Sequence, residues 1–274
     1  MTKILILLMF KNSSKWIYRF LKNIESLLQL QNEYDDIQFL ISVIYGDDTD
    51  TNNILLNKLY SIEIRYGTKI ISKKITFPKR LDSIQRLVTL RNAFLYMDND
   101  VNNLRDYDYL IMLDTDIMFD GNTIFKLIKD IQNPNLDNPG IVAPMVFIEN
   151  YYSHGNNYFY DTFAFRIQNK MFNHTRPYLP TKLFGKDKFK SLINVDSVGC
   201  MYLAKTDIFT KHGVTYGTYL RKLDQNSLHP QRKYESEQIF MCEQVKQETD
   251  YNIYVDLNAK VYHINLQRLG IPWH

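Results

Sequence analysis

The sequence predicts an α/β fold: a mostly parallel central sheet flanked by helices, followed by a mixed C-terminal half. Three observations lead there. Short apolar runs alternate with helical spacings through residues 1–133, the run Tyr109–Leu113 ends in paired carboxylates, and residues 134–274 lose that alternation.

The elements follow in order. Ile4 to Phe10 is a strand, and Ser13 or Ser14 can cap a helix running to about Leu30. Phe39 to Tyr45 is a second strand, closed by Gly46-Asp47-Asp48, and a helix then runs through Ile54, Leu55, Leu56 and Leu59. Lys69 to Ile75 reads as a third strand. Asp82 caps a helix carrying Ile84, Leu87, Val88, Ala93, Phe94 and Leu95. Tyr107 to Leu113 is the fourth strand, followed by a helix from Asn122 to Ile131. Ligands in such sheets bind beyond the carboxyl ends of the strands. Asp48 and Asp114 both fall at that edge.

Beyond this point Ile141 to Phe147 and Tyr158 to Arg166 read as strands joined by an irregular loop rich in Tyr, Asn and Gly. Val195 to Ala204 is a further strand with Gly199 in its middle. Ser236 to Gln247 has helical spacing, and short strands at Asn252–Val255 and Lys260–Ile264 end the fold. The mixed-charge segment Asn169–Phe189, with two prolines, is expected to be a loop over the site. Without repeats or a low-complexity linker, residues 1–274 form one domain with two halves.

Composition excludes several classes. Apolar residues at 45% and charged residues at 23% suit a globular protein with a substantial core. A net charge of +3 with no long basic block gives no case for nucleic acid. Ile4 to Phe10 runs straight into Lys11 without a small-residue cleavage site, so it reads as a buried strand and not as a signal peptide. No stretch approaches the roughly 20 apolar residues that span a bilayer. Two cysteines are too few for a disulfide scaffold, and a cytosolic protein is expected.

The chemistry centres on acidic pairs, because D-x-D occurs four times. Asp48-Thr49-Asp50 can cap the helix that follows. Asp98-Asn99-Asp100 starts like a calcium loop but carries Asn103 where Gly is needed and Tyr109 where a bidentate Glu is needed. Asp106-Tyr107-Asp108 precedes its strand and so lies at the opposite edge. Asp114-Thr115-Asp116 sits between the apolar runs Tyr109–Leu113 and Ile117–Phe119, where two carboxylates are costly without a cation. Two carboxylates one residue apart can share one divalent cation, which can in turn hold a diphosphate. A strand-end turn is the plain alternative. A HAD-like phosphohydrolase with Asp114 as nucleophile is another, although Met118 stands where such enzymes carry Thr or Val.

Four segments give a resemblance. They are Leu110-Ile111-Met112-Leu113-Asp114-Thr115-Asp116; Arg86-Leu87-Val88-Thr89-Leu90-Arg91-Asn92; Asp196 to Ala204 followed by Asp207-Ile208-Phe209 and His212-Gly213; and Glu235-Ser236-Glu237-Gln238 ahead of Val261-Tyr262-His263-Ile264. In that order the chain resembles nucleotide-sugar glycosyltransferases of the GT-A fold, in particular fungal mannan polymerase subunits. Tyr160 to Arg166 also resembles fungal capsule-associated mannosyltransferases, and the compact size is similar to glycosyltransferases of large DNA viruses.

The resemblance implies transfer of a hexose from a GDP- or UDP-sugar to a glycan or glycoprotein acceptor. Residues 1–133 would bind the nucleotide and residues 134–274 the acceptor. Asp114, Asp116 and His263 would hold Mn²⁺ or Mg²⁺, the imidazole favouring manganese; a structural role for His263 is the alternative. Arg91 and Arg86 would pair with phosphate oxygens, or else line a solvated helix face. Phe10, Tyr45, Gly46, Asp47 and Asp48 would hold base and ribose, with Thr115 in the same nucleotide site. Asp161 and Asp196 would meet sugar hydroxyls. Glu237, or Glu235 in its place, would take the acceptor proton in an inverting enzyme or orient the acceptor in a retaining one. Both glutamates could instead cap the following helix. A non-catalytic nucleotide-sugar or glycan binding module would keep the same fold.

Overall fold

β1 (Thr2–Phe10) shows why the chain builds layers on both sides of a sheet. Ile4, Ile6, Leu8 and Phe10 enter one apolar cluster, while Leu5 and Leu7 enter another. Alternate side chains point to opposite faces, so a continuous apolar run specifies a strand covered twice. A computed structural model of the chain describes residues 1–10, 13–46, 49–76, 81–95, 103–148, 159, 164–168, 170–171, 190–220 and 233–264.

β2 (Ile37–Tyr45), β3 (Ile70–Lys74) and β4 (Tyr109–Asp114) complete the parallel half, in the order β3-β2-β1-β4. α1 (Ile17–Gln31), α2 (Thr49–Tyr66) and α4 (Gly121–Ile131) cover one face, burying Phe20, Ile24, Leu55, Ile62, Phe125 and Ile128. α3 (Ser83–Leu95) lies on the other face with Leu90 and Phe94. As expected, Asp82 caps α3: its Oδ1 accepts from the Ile84 amide at 2.9 Å. α1 differs. It begins at Ile17, and Trp16 precedes it without a side-chain cap; the Ser13 carbonyl takes the Trp16 and Ile17 amides instead.

The second half is mixed. β6 (Pro139–Ile148), β10 (Met201–Lys205) and β11 (Asn252–His263) extend the order to β4-β10-β6-β11, with β10 antiparallel to both neighbours. β9 (Leu192–Asn194) pairs with β11, while β7 (Arg166–Ile167) and β8 (Lys170–Met171) form a separate ribbon. α5 (Asp207–Thr210) follows β10, and α6 (Glu237–Glu248) packs Met241, Cys242 and Val245 on the α3 side.

Four expected strands are drawn differently. Of Val195–Ala204 only Met201–Ala204 is strand, within β10; the stretch before it is irregular and ends at Cys200, which takes a left-handed conformation at φ 46°, and β9 stops at Asn194. Tyr158–Arg166 is not one strand among the described residues: Phe159 makes an isolated bridge to Phe147, and Ala164 lies in a turn before β7. The two C-terminal strands are one, β11, with a register shift between Asp256 and Lys260. Asp98–Asp100 and most of Asn169–Phe189 lie outside the described residues.

Residues Thr115 and Asp116 alone separate β4 from β5 (Ile117–Met118), yet β5 pairs with β11, which stands three places beyond β4 in the sheet order. A two-residue link spans only about 10 Å, so the sheet must curl to bring the end of β11 against the end of β4. That curl assembles the site.

Two stability predictions follow from the packing. A Cβ on Gly140 in β6 would meet Tyr251 Cβ at 2.4 Å, so Gly140→Ala should destabilise the fold by about 1–3 kcal/mol in urea titration. Lys126 in α4 bonds both Asp130 and the fully buried Asp256, whose Oδ1 accepts from the Asn258 amide at 2.8 Å. Burial, with Asp256 adjacent, pushes Asp130 up to about 6. Its protonated form is therefore favoured by folding, and stability is lost as pH rises from about 4, the unfolded value, to about 6. Asp130→Asn should be more stable than wild type by about 1–2 kcal/mol at pH 7.5, and the gain should vanish near pH 4. Urea unfolding at the two pH values checks it.

Candidate active site

The turn Asp114-Thr115-Asp116 is pinned from three directions. The Thr115 hydroxyl donates to the Met9 carbonyl at the end of β1, 2.7 Å away. The Asp114 amide donates to the Cys200 carbonyl at 2.9 Å, which gives the left-handed turn at Cys200 a role: it aims that carbonyl at β4. The Asp116 carbonyl accepts from the Ile264 amide at 2.8 Å, fastening the end of β11. Both carboxylates thus project from a backbone held by β1, the approach to β10, and β11.

His263 meets Asp116 there, with Nε2 3.0 Å from Oδ2. Its Nδ1 lies 2.8 Å from the Ile264 carbonyl, which can only accept, so Nδ1 carries a proton. Nε2 then offers Asp116 either a second proton or a lone pair across a shared cation. Burial works against the imidazolium, but Asp116 outweighs it and holds His263 above its ordinary value. Burial likewise works against the Asp116 carboxylate, and His263 outweighs it to hold that carboxyl below its ordinary value.

Asp114 has a different partner. Its Oδ1 lies 2.8 Å from Nη2 of Arg91, whose Nη1 lies 2.9 Å from Oε1 of Glu237. The Arg91 side chain is 0% exposed, that of Glu237 2% and that of Asp114 25%. The expected contact of Arg91 with phosphate is therefore not the one the fold makes: its guanidinium is sealed between two carboxylates. Burial alone would lower its basicity, but Glu237 and Asp114 overcome that and keep it protonated. Burial pushes Asp114 up to about 6; Arg91 pulls against this, while Asp116 and Glu237 add to it. Tyr216 lies under the guanidinium at 5.7 Å, its hydroxyl bonded to that of Tyr202.

A cavity of about 350 Å³ opens beside the turn, lined by Asp114, Thr115 and Asp116, by Phe10, Tyr45 and Gly46 at the ends of β1 and β2, and by Arg86 of α3. The fold thus gathers most of the predicted nucleotide and metal residues around one space. Arg86 donates its Nε to the Leu81 carbonyl at 2.8 Å, which directs the guanidinium. Asp196 pairs with Lys246 and does not line the cavity. Glu235 lies 3.4 Å from Arg166 with its side chain 14% exposed, and Ser236, not either glutamate, caps α6. Asp47, Asp48 and Asp161 lie outside the described residues.

Sequence reasoning missed Trp16, Leu87 and Leu90 in the cavity wall. The buried Trp16 Nε1 has no partner among the described residues. Its signal was its position just past the end of the first strand, the edge where ligands bind.

The donor set fits a divalent ion in part. Among the described residues no three His, Cys, Asp or Glu side chains form a ready cage. Asp116 and His263 nevertheless make a mixed oxygen–nitrogen pair 3.0 Å apart. Adjacent ligands of an octahedral ion with bonds of roughly 2.1 Å also lie about 3 Å apart. The Ile264 carbonyl fixes the tautomer a ligating histidine needs. Arg91 occupies Oδ1 of Asp114 and leaves Oδ2 for a cation. Remaining positions would fall to a ligand such as a diphosphate.

No protein-family model matches the sequence, and neither does any curated protein. Among solved structures the chain is similar to the mannosyltransferase PcManGT from Pyrobaculum calidifontis in complex with GDP-Man and Mn²⁺. Identity is 10% and the TM-score 0.52, over 94% of this chain and 56% of that one. It is also similar to a mutant Drosophila β-1,4-galactosyltransferase 7 in complex with manganese, UDP-Gal and xylobiose. There identity is 12% and the TM-score 0.46, over 98% of this chain and 74% of that one. The chain thus spans little more than half the length of the mannosyltransferase. Among the described residues no helix is long and apolar enough to cross a membrane. With its mixed, curled sheet flanked by helices, the chain has the GT-A glycosyltransferase fold.

Proposed function

We propose that this protein is a metal-dependent glycosyltransferase that moves a hexose from a GDP- or UDP-sugar to a glycan or glycoprotein acceptor. The observation that carries the proposal is the Asp116–His263 pair, with Asp114 two residues before, at the wall of a cavity lined by the ends of β1 and β2. The similar mannosyltransferase, crystallised with GDP-Man and Mn²⁺, supports the same reading.

Asp114 through Oδ2, Asp116 and His263 through Nε2 would hold Mn²⁺, the imidazole again favouring it over Mg²⁺. When bound, the ion offsets the charge that builds on the departing nucleoside diphosphate. Phe10, Tyr45 and Gly46 take the base and ribose, with Trp16 in the same wall. Arg86 turns its guanidinium toward the phosphates. Thr115 acts by fixing the turn to β1. Asp196 and Asp161 are kept for sugar hydroxyls, Asp196 exchanging its bond to Lys246 for one to substrate.

Glu235 is the carboxylate offered to the acceptor. It is more exposed than Glu237 and held by a longer contact, 3.4 Å to Arg166 against 2.9 Å to Arg91. It takes the acceptor proton in an inverting reaction or orients the hydroxyl in a retaining one.

The chain should release nucleoside diphosphate from GDP- or UDP-hexoses only when Mn²⁺ is added. Asp116→Ala should lower that release on the order of 100-fold or more while leaving the circular dichroism of the fold intact. Metal-independent release, or full release by Asp116→Ala, would sink the proposal. Phosphate release from a simple phosphomonoester instead would favour an aspartyl-nucleophile phosphohydrolase.

A further inference from the structure

Glu237 stands in the acidic segment where a base is expected, yet its carboxylate is out of reach. Its side chain is 2% exposed, and Oε1 lies 2.9 Å from Nη1 of Arg91. The other arm of the same guanidinium, Nη2, lies 2.8 Å from Oδ1 of Asp114. One cation from α3 is thereby divided between an anion on α6 and an anion on β4.

Geometry makes the division specific. A guanidinium is planar and presents several N–H donors in a fixed fork, so two carboxylates can each take one arm. The ring of Tyr216 lies against it at 5.7 Å, and Asn92, the next residue of α3, exchanges hydrogen bonds with the Tyr216 backbone at 2.8 and 2.9 Å. Glu237 is also in the first turn of α6, behind the Ser236 cap, where the helix dipole favours a negative charge. None of these features serves proton transfer, and all of them fix Arg91 and Glu237 in place.

We infer that Glu237 is a positioning residue: through Arg91 it sets how much negative charge Asp114 offers a divalent cation. While Glu237 is charged, the guanidinium is shared, and Asp114 keeps part of its charge for the ion. When that charge is removed, the whole guanidinium turns to Asp114 and competes with the metal. The inference rests on the metal-dependent reading above, and it assigns the glutamate closest to Asp114 to metal affinity, not to acceptor chemistry.

The test is Glu237→Gln in the full chain, an isosteric change that keeps an acceptor oxygen for Arg91. Mn²⁺ alone is titrated and the free ion read by electron paramagnetic resonance. Nucleoside diphosphate release is followed in parallel at rising Mn²⁺. The variant should bind Mn²⁺ about three- to tenfold more weakly, and excess Mn²⁺ should recover most of the lost turnover. A loss of about 10²- to 10⁴-fold in kcat that Mn²⁺ does not rescue, with unchanged Mn²⁺ binding, would make Glu237 the base and overturn the inference. So would no change in either measurement. Arg91→Lys supplies a second arm, because an ammonium cannot serve both carboxylates at these positions. It should shift Mn²⁺ affinity, downward where the ammonium stays on Asp114 and upward where it moves to Glu237 and frees Asp114; a lower melting temperature with unchanged Mn²⁺ affinity would reduce Arg91 to a structural role and overturn the inference. A wild-type chain that neither binds Mn²⁺ nor turns over a donor overturns the glycosyltransferase reading itself, a result distinct from any variant effect.

Discussion

Asp114, Asp116 and Glu237 crowd one end of the sheet, and charge compensation is what lets them stay there. Glu237 is buried, and Asp114 and Asp116 are only about a quarter exposed, so the three negative charges at close quarters call for matching positive charge. Arg91 matches two of them from α3, and His263 matches the third from β11. Both cations come from elements far away in sequence, so the acidic cluster exists only in the folded chain. Removing Arg91 would strand two carboxylates at once. The match also leaves room: Oδ2 of Asp114 is open to a cation, and between Asp116 and His263 a metal ion can take the place of the Nε2 proton.

The curled sheet is the mechanical counterpart of that charge pattern. β4 and β5 are joined by two residues, yet β5 pairs with β11, so His263 arrives beside Asp116 as a consequence of strand pairing. The Ile264 amide then locks the contact through the Asp116 carbonyl. On the opposite side, Thr115 ties the same turn to β1. A displacement of either strand end would move both carboxylates together, which is the rigidity a metal site needs.

Much of this was legible in the sequence, for identifiable reasons. β1, β2, β4 and α4 are long, strongly patterned segments, and their order fixes a parallel half with a ligand edge. Asp114, Asp116 and His263 follow from that edge and from the family resemblance. Cys200 shows where legibility stops: the apolar run on both sides of Gly199 reads as one strand, but its first part is irregular and ends in a left-handed residue that turns a carbonyl toward Asp114. β11 was split for the opposite reason. Asp256, Asn258 and Lys260 look like a loop in sequence, whereas Lys126 of α4 buries Asp256 and lets the strand continue past an irregular register.

The burial of Arg91 was not read from the sequence, although its signal was present. Ile84 and Arg91 are seven residues apart in α3, so the helical period that buries Ile84, Leu90 and Phe94 buries Arg91 with them. A charged residue in the apolar stripe of an amphipathic helix calls for a buried counter-charge, and Asp114 was the natural candidate. What the period could not supply was the second partner, because Glu237 reaches α3 only through the packing of α6 on the same face. That contact also separates the two glutamates. Glu237 is held at 2.9 Å by a guanidinium with no access to solvent, while Glu235 keeps a looser 3.4 Å contact and a partly exposed side chain. To approach Glu237 a substrate hydroxyl would have to open the ion pair that also holds Asp114, whereas the Glu235 side chain is partly exposed. In the reaction proposed above, that difference in exposure sets Glu235 toward the acceptor and Glu237 toward the cation.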